Sequence, residues 1–180
     1  MITPMTLHAG VCDFLEKEVA AKTKLMCVDP QGNESVKCPG VIRSGWPLPK
    51  SIDVDTDGDT GGHSDCEVFP YILPRISKIE HGGGEATATV DILFGVYGPG
   101  AYDSDGNLVD DGSGYRDLWN LMEATRQALF AQHTIGGRYR ILDDYFIAET
   151  IPENIQPYWE GYCRTKWHVA MPAYRANSFM

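Results

Sequence analysis

Hydrophobic and polar positions alternate with period two through Ala86, Ala88, Val90, Ile92, Phe94 and Val96, with Thr87, Thr89 and Asp91 between them. This pattern predicts a strand with one buried face. Upstream, Phe69-Pro-Tyr-Ile-Leu-Pro-Arg-Ile reads as an extended arm. Pro70 and Pro74 have no amide to donate, so the arm is expected at a sheet edge or a bulge. His81-Gly82-Gly83-Gly84 supplies the turn between the two strands. Downstream, Leu118, Leu121, Met122, Thr125 and Leu129 recur at helical spacing while Arg116, Asp117, Asn120, Glu123 and Gln127 are polar, which predicts an amphipathic helix from Tyr115 to His133. Ser113 is its expected cap and Gly136-Gly137 its expected stop. A strand from Arg140 to Thr150 offers apolar side chains on both sides and is expected to be buried on both. A last strand, Tyr158 to Met171, sets Trp159, Cys163, Trp167, Val169 and Met171 against Glu160, Arg164, Lys166 and His168, one face core and the other wet or paired.

The N-terminal third divides in two. Residues 4–26 read as a helix, with Thr3 as cap, Pro4 in the first turn, and Leu7, Val11, Leu15 and Val19 at four-residue spacing with Phe14 beside them. Residues 29–65 are rich in Gly, Pro, Asp and Ser, and only Val36 to Leu48 looks extended; a loop of this length is expected to contact a neighbour or to lack fixed structure. The fold class predicted is α+β: a mixed or antiparallel sheet of about four to five strands flanked by the N-terminal and central helices. One domain spans 1–180, with a β-β-α-β-β core over 69–172 and a tail at 173–180.

Composition narrows the function. The chain has 15 Lys and Arg against 25 Asp and Glu, a net charge of −10, the wrong sign for a surface that grips nucleic acid phosphates. No apolar run approaches the roughly 20 residues that span a bilayer, and the N-terminus lacks the blocks of a signal peptide, so a soluble protein made in a cytoplasm is expected. Cys12, Cys27, Cys38, Cys66 and Cys163 form an odd set without a Cys-x-x-Cys pair, which argues against a disulfide framework and fits reduced thiols.

Candidate chemistry is sparse. Asp53, Asp55, Asp57 and Gly58 copy the opening of a calcium loop, but Thr60 and Ser64 stand where the loop needs an apolar residue and a bidentate Glu. The stretch Asp103 to Gly112 matches part of the same pattern; a turn or small hairpin is the expected reading. Cys27 and Cys38 with His63 and Cys66 give only one short-spaced pair, where structural zinc sites normally have two. No nucleophile elbow, phosphate loop or metalloprotease helix occurs. His8, His63, His81, His133 and His168 are scattered. Trp119, Trp159, Trp167 and Tyr162 are expected in core or subunit interface rather than in a ligand platform. No catalytic residue, cofactor or metal is expected.

The arm Phe69 to Arg75, the long strand Ala86 to Tyr97, and Tyr115-Arg-Asp117-Leu118 opening a helix resemble the tail terminator, or tail completion, proteins of long-tailed bacteriophages. Tyr139-Arg-Ile-Leu, the link Glu153-Asn-Ile-Gln-Pro157 and the final strand through Met171-Pro172 follow in that family's order, so the resemblance covers about residues 66 to 173. It implies a structural virion protein, assembled in the host cytoplasm, that forms a homohexameric ring on the head-proximal end of the tail tube. There it stops tube growth and meets the neck or head, while DNA passes through the lumen without specific binding. Its partners would be its own copies, the tail tube protein and a neck or head-completion protein, with no membrane. The insertion at 50–65 and the loop at 103–112 depart from a generic member. Interface residues are expected in the proline-broken arm, at Phe69, Pro70, Tyr71, Pro74 and Arg75, and in the acidic loop, at Tyr102, Asp103, Asp105, Asp110 and Asp111. The alternatives are another head-tail joining protein and, further off, a metal-binding module or metal-dependent enzyme.

Overall fold

The computed structural model describes residues 3–28, 33–45, 68–82, 84–152, 154 and 156–170. Helix α1 spans Pro4–Glu18. Thr3 caps it by accepting from the Thr6 amide while the Thr6 hydroxyl accepts from the Thr3 amide, and Pro4 occupies the first turn, where its missing donor costs nothing. The helix stops at Glu18, short of the expected Met26. A 3-10 turn, Ala20–Lys22, follows, and the Thr23 hydroxyl bonds the Val19 carbonyl. Leu25 and Cys27 are then buried on one side of strand β1, Leu25–Val28. The alternation there is too short to register against a helical background.

β1 forms an antiparallel pair with β2, Glu34–Lys37. The main sheet holds six strands, somewhat more than expected: β3 (Gly40–Val41), β4 (Tyr71–Gly82), β5 (Glu85–Tyr97), β8 (Thr134–Ile135), β9 (Tyr139–Thr150) and β10 (Tyr158–Val169). Their order is β3-β4-β5-β10-β9-β8. Only β3 and β4 run parallel, so the sheet is mixed. β5 lies against β10 along its whole length, Ala86 opposite Val169 and Tyr97 opposite Tyr158. The two strand pairs therefore meet through their second strands. The intervening chain carries a two-strand hairpin, β6 (Ala101–Tyr102) with β7 (Leu108–Val109), and helix α2, Ser113–Gln132.

Helices α1 and α2 cover one sheet face. Leu7, Val11 and Leu15 of α1 and Leu118, Leu121, Met122 and Leu129 of α2 join Ala88, Val90, Ile92, Phe94 and Trp167 in one core. The alternation read along β5 and β10 is realised, with Cys163, Trp167 and Val169 buried. Trp167 is fully buried, and its indole donates to the Thr165 hydroxyl at 2.8 Å, which donates to the Val90 carbonyl at 3.1 Å. That relay removes the penalty of an unpaired N–H in the core.

Three local expectations are corrected. Ser113 is the first helical residue, not the cap: Gly112 holds the cap position at φ +70, and Asp111 accepts from the Ser113 amide. Gly136 and Gly137, at φ +58 and +64, turn β8 into β9; His133, at φ +49, ends the helix. β9 is not buried on both faces. Opposite Thr165 and Trp167 its register jumps from Phe146 to Ile141, and this bulge reverses the alternation. Tyr139 and Ile141 before it, and Phe146 and Ala148 after it, all pack on the helix-covered face.

Candidate functional site

The proline-bearing arm is already used inside the chain. Phe69, Pro70, Tyr71 and Pro74, expected at an interface, are buried within the chain, where their side chains pack intramolecularly. Phe69 stacks edge-on to Tyr71 and tilts against Tyr158, forming a second small core with Leu73 on the face away from the helices. The Tyr71 hydroxyl donates to Glu160 at 2.7 Å; burial, and then that carboxylate, push its pKa far up. Pro70 and Pro74 do sit where a missing amide is harmless. The carbonyls of Pro70, Ile72 and Pro74 all point away from β5, to the amides of Gly40 and Ile42 and to the His8 ring. An amide on Pro74 would point the same way, so no ladder bond is lost.

Arg75 is half-buried and belongs to an ion network on the sheet face away from α1 and α2. The Asp91 side chain is only 3% exposed, held by Arg164 Nε at 2.7 Å and by Arg75 at 3.7 Å. Beside it, Lys166 meets Glu80 at 3.2 Å, Lys78 meets Glu80 at 2.8 Å, and the Lys166 ammonium lies over the Tyr145 ring. Four cations, Arg75, Arg164, Lys78 and Lys166, thus share two carboxylates, Asp91 and Glu80, which leaves this patch locally positive.

The acidic loop is the hairpin β6–β7, as expected, with Tyr102 in β6. Asp103 accepts from the amides of Asp105 and Asn107, at 2.9 and 2.8 Å. Asp110 and Asp111 accept from the amides of Gly112 and Ser113, both at 2.8 Å. Bonds from Asn107 hold Asp103 below the ordinary aspartate range, and bonds from Ser113 do the same for Asp111. These carboxylates and Asp105 are exposed, and their bonds set the loop's shape. Next to the hairpin, Tyr115 is 48% exposed and lies edge-on to Trp119 and Trp159.

The remaining candidates separate. Cys27 is buried against the Ser35 hydroxyl and Cys38 is exposed. His63, Cys66 and the residues Asp53 to Ser64 lie outside the described residues. Burial raises the thiols of Cys12, to about 11, and Cys163, to about 12. Among the described residues no three His, Cys, Asp or Glu side chains are grouped to hold a metal ion, and no helix is long and apolar enough to cross a membrane.

Sequence reasoning missed a groove at the outer strand β9. Trp119, Ala148, Ile151 and Pro152 line it with Glu149 and Tyr162, enclosing about 570 Å³. The Tyr162 hydroxyl donates to Glu149, while the Trp119 indole N–H is buried without an acceptor. Only the tryptophan's place on an otherwise polar helix side hinted at this. No family model matches the chain, and no curated protein matches it, so the likeness to tail terminators rests on the residues quoted above.

Proposed function

We propose that this chain is a ring-forming virion protein of the tail-terminator kind. It sits on the head-proximal end of the tail tube, ends tube growth, and offers the interface to the neck or head. It acts by shape and contact, without catalysis. A net charge of −10 suits a ring through which DNA passes, because carboxylates repel phosphates and no counterion release rewards binding.

The observation that carries this reading is the sheet. Helices cover one of its faces, and its outer strands β4 and β9 each leave a stretch with no strand partner among the described residues. A unit with two unlike open edges suits head-to-tail repetition, which closes into a ring at the right rotation. The test is negative-stain imaging of the purified chain mixed with growing tail tubes. Rings of about six subunits on one end of tubes that stop elongating are expected. Tubes that keep growing with bare ends would sink the reading, and binding to filled heads instead would favour the head-completion alternative.

A further inference from the structure

Among the described residues, the outer long strands β4 and β9 are open at opposite ends of the sheet. β3 covers β4 only at Tyr71 and Ile72, and His8 occupies the Pro74 carbonyl. From Ser77 to Gly82 no described strand lies on the outer side of β4. β8 covers β9 only at Tyr139 and Arg140, and the Ile141 amide bonds His133. From Phe146 to Thr150 the outer side of β9 has no strand partner among the described residues. In β4, the outward direction of Pro70, Ile72 and Pro74 passes through a bulge between Ile76 and Lys78. The extra residue shifts the alternation by one, so Ile79 and His81 turn their amides and carbonyls outward.

We propose that these two stretches join copies of the chain: Ser77–Gly82 of one copy lies antiparallel along Phe146–Thr150 of the next. The proposal deepens the ring reading and rests on it for the closed assembly. Both faces of the joint match in chemistry. On the helix-covered side Ile79, 45% exposed and opposite Ala88, seats in the groove of Trp119, Ala148 and Pro152. On the side away from α1 and α2 Lys78, 63% exposed, meets the exposed Glu149.

The strand directions also suit head-to-tail repetition. Each of the long strands β4, β5, β10 and β9 is antiparallel to the next, so β4 and β9 run in opposite directions. An antiparallel joint between them keeps every copy in one orientation. Because the free stretches lie at opposite ends, each copy is displaced along the strands relative to the last, which is the stagger that tilted strands need in a closed sheet.

The test is cross-linking of the full chain in a Cys38→Ser, Cys66→Ser background, since Cys12, Cys27 and Cys163 are buried. Lys78→Cys chains mixed with Glu149→Cys chains should give a mixed disulfide dimer in about tenfold excess over either variant alone. The double variant should give a ladder. Dimers from Glu149→Cys alone would show two-fold pairing of β9 edges and overturn the proposal, as would absence of the mixed product. Without cross-linking, Ile79→Asp should weaken self-association on the order of tenfold by sedimentation, with melting unchanged. Unweakened association would equally overturn the joint. Tail tubes capped by a chain that yields no mixed product would sink the joint and leave the ring reading standing. A mixed product from a chain that ignores tail tubes would do the reverse.

Discussion

Gly98 sits where two backbones cross. A Cβ there would lie 2.4 Å from the Gly114 Cα and 2.6 Å from its N, and neither can yield without moving β5 or α2. Gly114 is held in turn by Trp159, whose Cδ1 would be 2.2 Å from an added Cβ. Gly98→Ala should therefore lower stability by about 3 kcal/mol, read from denaturant midpoints. Gly40→Ala, with nothing within 4 Å of its added Cβ, should stay within about 0.5 kcal/mol. Equal losses at the two positions would refute the crossing. Neither glycine is conspicuous in the sequence, because its partner is distant along the chain. Pro74 was legible for the opposite reason: a missing amide is a local property, and only an outward-facing position tolerates it.

At the element scale, the β6–β7 hairpin and the first turn of α2 are shaped by carboxylates. Asp103 and Asp111 have pKa values below the ordinary 3.8, held down by hydrogen bonds from Asn107 and Ser113 respectively. A lowered carboxylate pKa means a contribution that is whole above 3.8 and lost as pH falls through the lowered value. Protection of the Asp105, Asn107 and Ser113 amides, taken relative to the intrinsic exchange rate at each pH, should thus hold at neutral pH and be lost selectively in acid below 3.8. Protection unchanged through that window would show that the carboxylates do not shape the loop. The hairpin was legible from Asp-Gly-Asn, since turn chemistry is local. The fate of β9 was not. Its two-sided apolar pattern looked like a doubly buried strand, and the bulge between Ile141 and Phe146 brings Tyr139 and Ile141 to the same face as Phe146 and Ala148.

Across the whole molecule, Asp91 ties the two hairpins together. It lies on β5 and takes Arg164 from β10 and Arg75 from β4. Arg164→Ala leaves a carboxylate that is 3% exposed with only the longer contact, and should cost about 2 kcal/mol, less than a fully buried pair because Arg164 is 35% exposed. Far-ultraviolet dichroism and the fluorescence of the chain's tryptophans should fall together in a single earlier transition, since the β5–β10 seam joins both halves of the fold. A loss below about 0.5 kcal/mol would mean Arg75 or water replaces Arg164. The sequence by itself determined the elements: period two gave β5 and β10, helical spacing gave α2, and Thr3-Pro4 gave the start of α1, because each signal lies within a few neighbouring residues. Only the tertiary structure decided that β5 pairs with β10, that the arm from Phe69 to Pro74 is buried, and that among the described residues β4 and β9 are left open at opposite ends. Those outcomes depend on which strand reaches which across the core, and strand pairing is chosen by packing between residues far apart in the chain.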